Sequence, residues 1–148
     1  MQVKQMLGGH SAAFRLRQKR GQRAGGNMGY RKQLREMFGG KCAYCGKPLG
    51  KVFQADHVAP IYRGWTNSEK PKRAGEDVDE NLFPACPRCN IKKSTFSVED
   101  FRAEIAMQLK RLRRDSSAFN LAEDFGIVSE TGNPVVFWFE KYRESAGA

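Results

Sequence analysis

The chain has no hydrophobic run near the ~20 consecutive apolar residues of a membrane-spanning helix, so nothing in its 148 residues reads as a transmembrane segment. The opening stretch, MQVKQMLGGHSAAF, lacks the unbroken apolar core of a secretion signal. The expectation is a soluble, cytoplasmic protein without a membrane partner. Histidine is scarce: His10 and His57 are the only two. His10 sits among Gly and Ser, in no pattern that suggests chemistry. The four cysteines, Cys42, Cys45, Cys86 and Cys89, form two CxxC pairs and leave none over. With no secretory context, two such pairs read as metal ligands rather than disulfides. A thioredoxin-type centre needs one CxxC within a βαβ pattern, and none is visible. There is no internal repeat, which excludes a solenoid or propeller.

Acidic side chains are sparse where the chain begins. Residues 1–40 carry one against nine basic ones, a net of +8. Residues 41–96 carry six against ten, and residues 97–148 nine against seven, giving +4 and −2. The overall +10 therefore lies in the first two thirds. A polyanion such as nucleic acid suits that distribution, although a solvated, solubilising tail has the same composition.

The length suits one compact domain with tails. Residues 1–27, rich in Gly pairs and basic side chains, read as a flexible arm with a helix expected around 12–19. Residues 28–38 place Tyr30, Leu34, Met37 and Phe38 on one helical face, with Gly39 and Gly40 as the stop. KCAYCGKPLG has the form of a metal knuckle, and KVFQADHV reads as a strand leading to Asp56 and His57. A long polar loop spans 62–80; loops of that length are commonly functional or mobile. SVEDFRAEIAMQLKRLRR reads as one helix, with a Ser97–Asp100 capping box and a stripe of Val98, Phe101, Ile105, Leu109 and Leu112. Its Lys110 to Arg114 cluster suits the C-terminal end of the helix dipole. A shorter helix is expected around 117–125, stopping at Gly126. Asn133 and Pro134 resemble an N-cap and first helical position, so VVFWFEKYRE is a last helix, with VVFWF also readable as a strand.

The cysteine spacing is C-x2-C-x40-C-x2-C. Four thiolates close a tetrahedral shell and leave no place for water, so a Zn2+ held there is structural. The 40-residue span holds Asp56, His57 and Asn81, and Asn90 follows the last cysteine at once. In that frame CAYCG, ADHVAPI and ENLFPACPRCNIKKS, in order over about 42–96, resemble the HNH nucleases. The family's His, Asn, His here become His57, Asn81 and Asn90. The resemblance implies an α+β class: a ββα-metal core stapled by a four-cysteine structural zinc, with flanking helices. The residues themselves suggest the 1–27 arm, a core over 28–96 that contains the motif, and a 97–148 helical extension that departs from it and is expected to pack on the core through the Phe101 to Leu112 stripe. The resemblance implies that Asp56 and Asn90 hold one divalent cation, that His57 is the general base, and that Asn81 holds the hairpin and His57 in position. Lys93 matches a basic position facing phosphate. The partner implied is DNA, cut by hydrolysis to 5′-phosphate and 3′-hydroxyl ends. The stretch GIVSETGNPVVFWFEKY resembles small phage-encoded HNH proteins.

The chemistry is coherent. Phosphodiester cleavage needs an activated water, a neutralised phosphate and help for the departing oxygen. Imidazole ordinarily exchanges its proton near neutral pH and suits the first task. A carboxylate and an amide oxygen are hard ligands, which favours Mg2+ or Mn2+ for the others. Arg15, Arg17, Lys19, Arg20 and Arg23 are the phosphate-gripping candidates of the arm, joined by Arg63 and Lys92. Trp65 is read equally as a DNA contact or a packing residue. Asp56 and His57 are neighbours, and strand neighbours point to opposite faces. They share a site only at a strand end, which Ala59-Pro60 suits, or with the phosphate lying between them. A non-catalytic zinc module that binds nucleic acid has the same charge and cysteines, but no need of Asp56, His57, Asn81 and Asn90 together.

Overall fold

A computed structural model describes residues 28–63, Thr66 and residues 74–147. The expected 1–27 arm with its five cationic candidates, the helix around 12–19, His10 and Trp65 lie outside the described residues.

Helix α1 (Met28–Glu36) buries Tyr30 and Leu34, one turn apart, and Phe38 is buried just beyond its end. Gly39 and Gly40 follow with φ of +66° and +73°, a conformation in which a Cβ is strained. The solvent side of α1 also holds the fold together. The Arg31 and Arg35 guanidiniums lie 4.5 and 4.7 Å from the Phe53 ring centroid. They donate to the carbonyls of Phe53 (3.2 Å), Leu49 (3.1 Å) and Gly50 (2.9 Å).

The sheet is one antiparallel pair, β1 (Gln54–His57) against β2 (Leu82–Ala85), in the register Gln54↔Ala85, Ala55↔Pro84, Asp56↔Phe83 and His57↔Leu82. The strand starts later than KVFQADHV suggests, because Val52 is exposed and Phe53 turns into the core. Pro84 is tolerated because its carbonyl points away from β1, accepting from Ala43 N–H at 2.8 Å. A strand residue's N–H and C=O point the same way, so the missing N–H removes no ladder bond.

After β2 come α2 (Pro87–Lys93), α3 (Val98–Ala106), α4 (Gln108–Asp115), α5 (Ser117–Asp124) and α6 (Trp138–Ala146). The Ser97–Asp100 capping box is present, and Gly126 ends the α5 turn with φ +68°. Two expectations are corrected. The stretch 98–115 is not one helix: it breaks at Met107, and burial stops with Val98, Phe101 and the partly buried Ile105, leaving Leu112 exposed. Past Ile105 there is no core to face, and α4 turns to pair with α5 through Arg113 and Glu123 (2.5 Å). The last helix starts at Trp138, not at Pro134, and VVFWF is no strand. The Phe137 N–H is instead capped by the Glu140 carboxylate at 2.8 Å.

The core is aromatic and joins distant parts of the chain. Phe38 packs edge-on to Phe83 at 5.0 Å, and Phe137 stacks on Phe101 at 5.6 Å and on Phe139 at 5.8 Å. Trp138 and Phe139 N–H donate to the carbonyls of Tyr44 (3.0 Å) and Ala43 (2.8 Å), docking the C-terminal segment on the backbone between the first two cysteines. Arg102 fastens α3 to the same segment by bonding the Val135 carbonyl and Glu140.

Candidate functional site

The cysteine pairs fold into two knuckles brought together by the strand pair. In the first, Cys42 N–H donates to the Lys47 carbonyl (2.9 Å) and Gly46 N–H to that of Cys42 (3.0 Å). Gly46 has φ +70°, and a Cβ there would meet the Trp138 ring at 3.2 Å, so glycine is required twice over. In the second, Cys86 is the N-cap of α2 and Pro87 its first residue, where proline loses no helical bond. The four sulfurs lie within 4.8 Å of one another, with Cys45 and Cys86 at 3.9 Å and all four unpaired by disulfides. A tetrahedral zinc with bonds of about 2.3 Å needs sulfurs about 3.8 Å apart, so the cage fits that ion. The Cys89 thiol pulls the Cys42 group down to about 4, while the same contact pushes Cys89 up. The Cys42 sulfur also accepts from the Cys86 backbone N–H at 3.3 Å.

From the second knuckle α2 runs back across the end of β1. Asn90 and Lys93 are three apart and share a face. A cleft of about 300 Å3 opens there, lined by Asp56, His57, Arg63, Leu82, Asn90 and Ser94 among others. The structure thus brings Asp56, His57, Asn90 and Arg63 together although they span 35 positions of sequence. Adjacent Asp56 and His57 both reach it because β1 ends at His57.

Asp56 faces inward. Its side chain is 5% exposed, and Oδ2 accepts from Tyr44 Oη (2.5 Å) and lies 3.1 Å from Lys93 Nζ. Burial pushes the Asp56 carboxyl up and the Lys93 ammonium down, and the attraction between them opposes both shifts. Burial also raises the Tyr44 phenol well above its usual range, which keeps it a donor. The expectation that Lys93 faces phosphate is corrected: its side chain is 0% exposed and its ammonium also donates to the His57 carbonyl at 2.6 Å. Sitting at the inward-facing end of α2, it is consumed in holding Asp56 and the end of β1. Lys92 is exposed and does not line the cleft.

His57 faces the other way and shares a hydrogen bond at Nε2 with Asp77 Oδ1, 2.8 Å away. The second Asp77 oxygen lies 3.5 Å from Arg63 Nη2. The hydrogen bond to His57 first, and the guanidinium of Arg63 beside it, hold the Asp77 carboxyl below its usual range. Sequence reasoning missed Asp77. It lies in a run with Glu76, Asp79 and Glu80, and nothing local distinguishes it.

Asn81 is buried at the foot of the long loop. Its Oδ1 accepts from Ala59 N–H (2.8 Å), and its Nδ2 donates to the carbonyls of Ala59 (2.8 Å) and Glu76 (2.9 Å). Its carbonyl accepts from Val58 N–H at 2.9 Å, extending the ladder by one bond.

A two-stranded hairpin followed by a helix, tied by a four-sulfur cage and opening on an Asp, His and Asn cleft, defines a ββα-metal architecture. Residues 42–96 match the family model of the HNH endonucleases. Comparison of the chain with curated proteins and with solved structures returned no match. No helix among the described residues is long and apolar enough to cross a membrane.

Proposed function

We propose that the protein is a metal-dependent DNA endonuclease whose reacting groups are those of this cleft. The observation that carries the reading is the convergence of Asp56, His57, Asn90 and Arg63 on one opening. A zinc-dependent binding module has no use for it.

In this reading His57 takes a proton from a water whose oxygen bonds to phosphorus. The bond from phosphorus to the 3′ oxygen breaks, that oxygen takes a proton from solvent, and the products are a 5′-phosphate and a 3′-hydroxyl. Asp56 Oδ2 is occupied by Tyr44 and Lys93, so its other oxygen and the Asn90 amide oxygen are the hard donors for a cation. Mg2+ or Mn2+ held there would neutralise charge on the phosphate and on the departing oxygen. Arg63, on the rim with its side chain 73% exposed, takes a phosphate oxygen. Lys92 and the cations of residues 1–27 grip flanking phosphates. Asn81 holds the loop and Lys93 the carboxylate. Residues 28–96 carry the chemistry, and 97–147 close the core behind the cage.

The test is cleavage of supercoiled plasmid at low salt with Mg2+, Mn2+ or EDTA, comparing the zinc-loaded protein with His57→Ala. The expected result is metal-dependent nicking that falls by about 10²–10⁴-fold in the variant with zinc content unchanged. Plasmid binding without cleavage under any metal would favour the binding module.

A further inference from the structure

Beside the cleft, bonded to two of the residues that line it, stands a charged group that the proposed reaction does not use. Asp77 is not among the motif residues, yet both of its oxygens are engaged. Oδ1 meets His57 Nε2 at 2.8 Å and Oδ2 faces Arg63 Nη2 at 3.5 Å. Its backbone is held on both sides. Asn81 Nδ2 bonds the carbonyl of Glu76, immediately before it, at 2.9 Å. Gly75 N–H bonds the Pro60 carbonyl at 2.9 Å. On the other side, Asn81 N–H bonds the carbonyl of Val78 at 3.0 Å. Gly75 lies so close that a Cβ would come within 2.4 Å of the Ala59 carbonyl and 2.6 Å of Asn81 Nδ2. A surface loop that presents a chance acidic residue does not need such fastening.

From this geometry we infer that Asp77 is the positioning residue of His57, held in place by Asn81. An ionised carboxylate only accepts hydrogen bonds. Facing Nε2, it places the proton of the neutral ring on that nitrogen and leaves the Nδ1 lone pair as the one that can take a proton from water. It also fixes the ring's rotation, which a histidine at a strand end otherwise lacks. Asn81 therefore acts on His57 through the Glu76–Asp77 segment: its side chain bonds the backbone of Ala59 and of Glu76. The inference rests on the nuclease reading for its consequence, but the tautomer itself does not.

The decisive variant is Asp77→Asn. Arg63 keeps the amide oxygen, the amide NH2 turns to Nε2, and the ring proton moves to Nδ1. Glu80→Gln, which removes one negative charge from the same exposed segment, controls for the general gain in DNA attraction. Two readouts are taken on the full-length, zinc-loaded protein: plasmid cleavage at saturating DNA with Mg2+ or Mn2+, and long-range 1H–15N correlation of the imidazoles. The chain has only His10 and His57, so a His10→Gln spectrum assigns the signals. The expected outcome is an Nε2–H tautomer at His57 in wild type and its loss in Asp77→Asn. Cleavage rate should drop roughly 10- to 100-fold with little change in the DNA concentration for half-maximal rate. Asp77→Glu should restore part of both, and Glu80→Gln should change neither. If wild type cleaves and Asp77→Asn cleaves as fast or faster, the inference is overturned. If wild type fails to cleave with every metal tried, the nuclease reading has failed, and the spectra alone decide: an unchanged tautomer in Asp77→Asn overturns the placement, a lost one sustains it.

Discussion

At the scale of single residues the most consequential finding is the buried Asp56, Lys93 and Tyr44 cluster. Tyr44 stands between Cys42 and Cys45, and Lys93 follows Cys89 by one helical turn. Both knuckles therefore send a side chain to the same carboxylate oxygen. The cage and the cleft are joined through Asp56. Removing one member of a buried ion pair leaves an uncompensated charge, which costs about 3–5 kcal/mol. Removing one hydrogen bond to a charged group costs about 1.5–3 kcal/mol. Lys93→Met should thus destabilise the zinc-loaded protein more than Tyr44→Phe in denaturant unfolding. The reverse order would mean that Asp56 is neutral when buried.

Among the elements, the described ends of the segment between the two strands, 58–63 and 74–81, are fastened to each other. Asn81 closes its base, and Gly75 is where it passes against Ala59. A methyl group on Gly75 would sit 2.4 Å from the Ala59 carbonyl oxygen, so the backbone itself would have to shift. Gly75→Ala should destabilise by about 1–3 kcal/mol and slow cleavage through Asp77, with zinc content unaltered. Equal melting and equal cleavage in the variant would show that the loop does not need this approach. The helices differ in how readily they could be read. The Ser97 cap and the Gly39 and Gly40 stop are local chemistry and appear where residue type places them. The break at Met107 and the late start of α6 are not local, because both follow from where the aromatic core ends.

Over the whole molecule, the cage and the charge distribution set behaviour. The sheet is two strands of four residues each, and small cores of this kind rely on a staple. A high-affinity chelator should therefore unfold the protein, seen as loss of circular dichroism in step with zinc release; chelation that leaves the spectrum intact would make the cage incidental to folding. Cations are not all available to DNA. Arg113 pairs with Glu123 and Glu130, Arg111 with Glu104, and Arg114 with Asp115, so the three arginines of α4 are paired within the chain. Arg31 and Arg35 are spent on Phe53. Beside Arg63 and Lys92, the proposed grip then falls to Arg15, Arg17, Lys19, Arg20 and Arg23. Changing these five to Gln should flatten the dependence of log K for plasmid binding on log salt by about 0.9 for each phosphate no longer neutralised, without altering cleavage at saturating DNA. An unchanged slope would remove the arm from the interface.

What the sequence settled by itself was whatever depends on residue type and short spacing. Two CxxC pairs with glycine and proline at their turns point to a cage, and an Asp-His pair shortly before Ala-Pro suits a strand end without requiring one. What only the tertiary structure decided was direction and company. Lys92 and Lys93 are alike in sequence, yet one is exposed and the other sealed against Asp56, because a helix turns about 100° per residue and its docking chooses the face. Asp77 is one of four acidic residues within five positions, and its partner lies 20 residues away. No periodicity encodes that meeting. It arises because the strand pair and the Asn81 clamp fix the backbone on both sides of Asp77 within reach of His57.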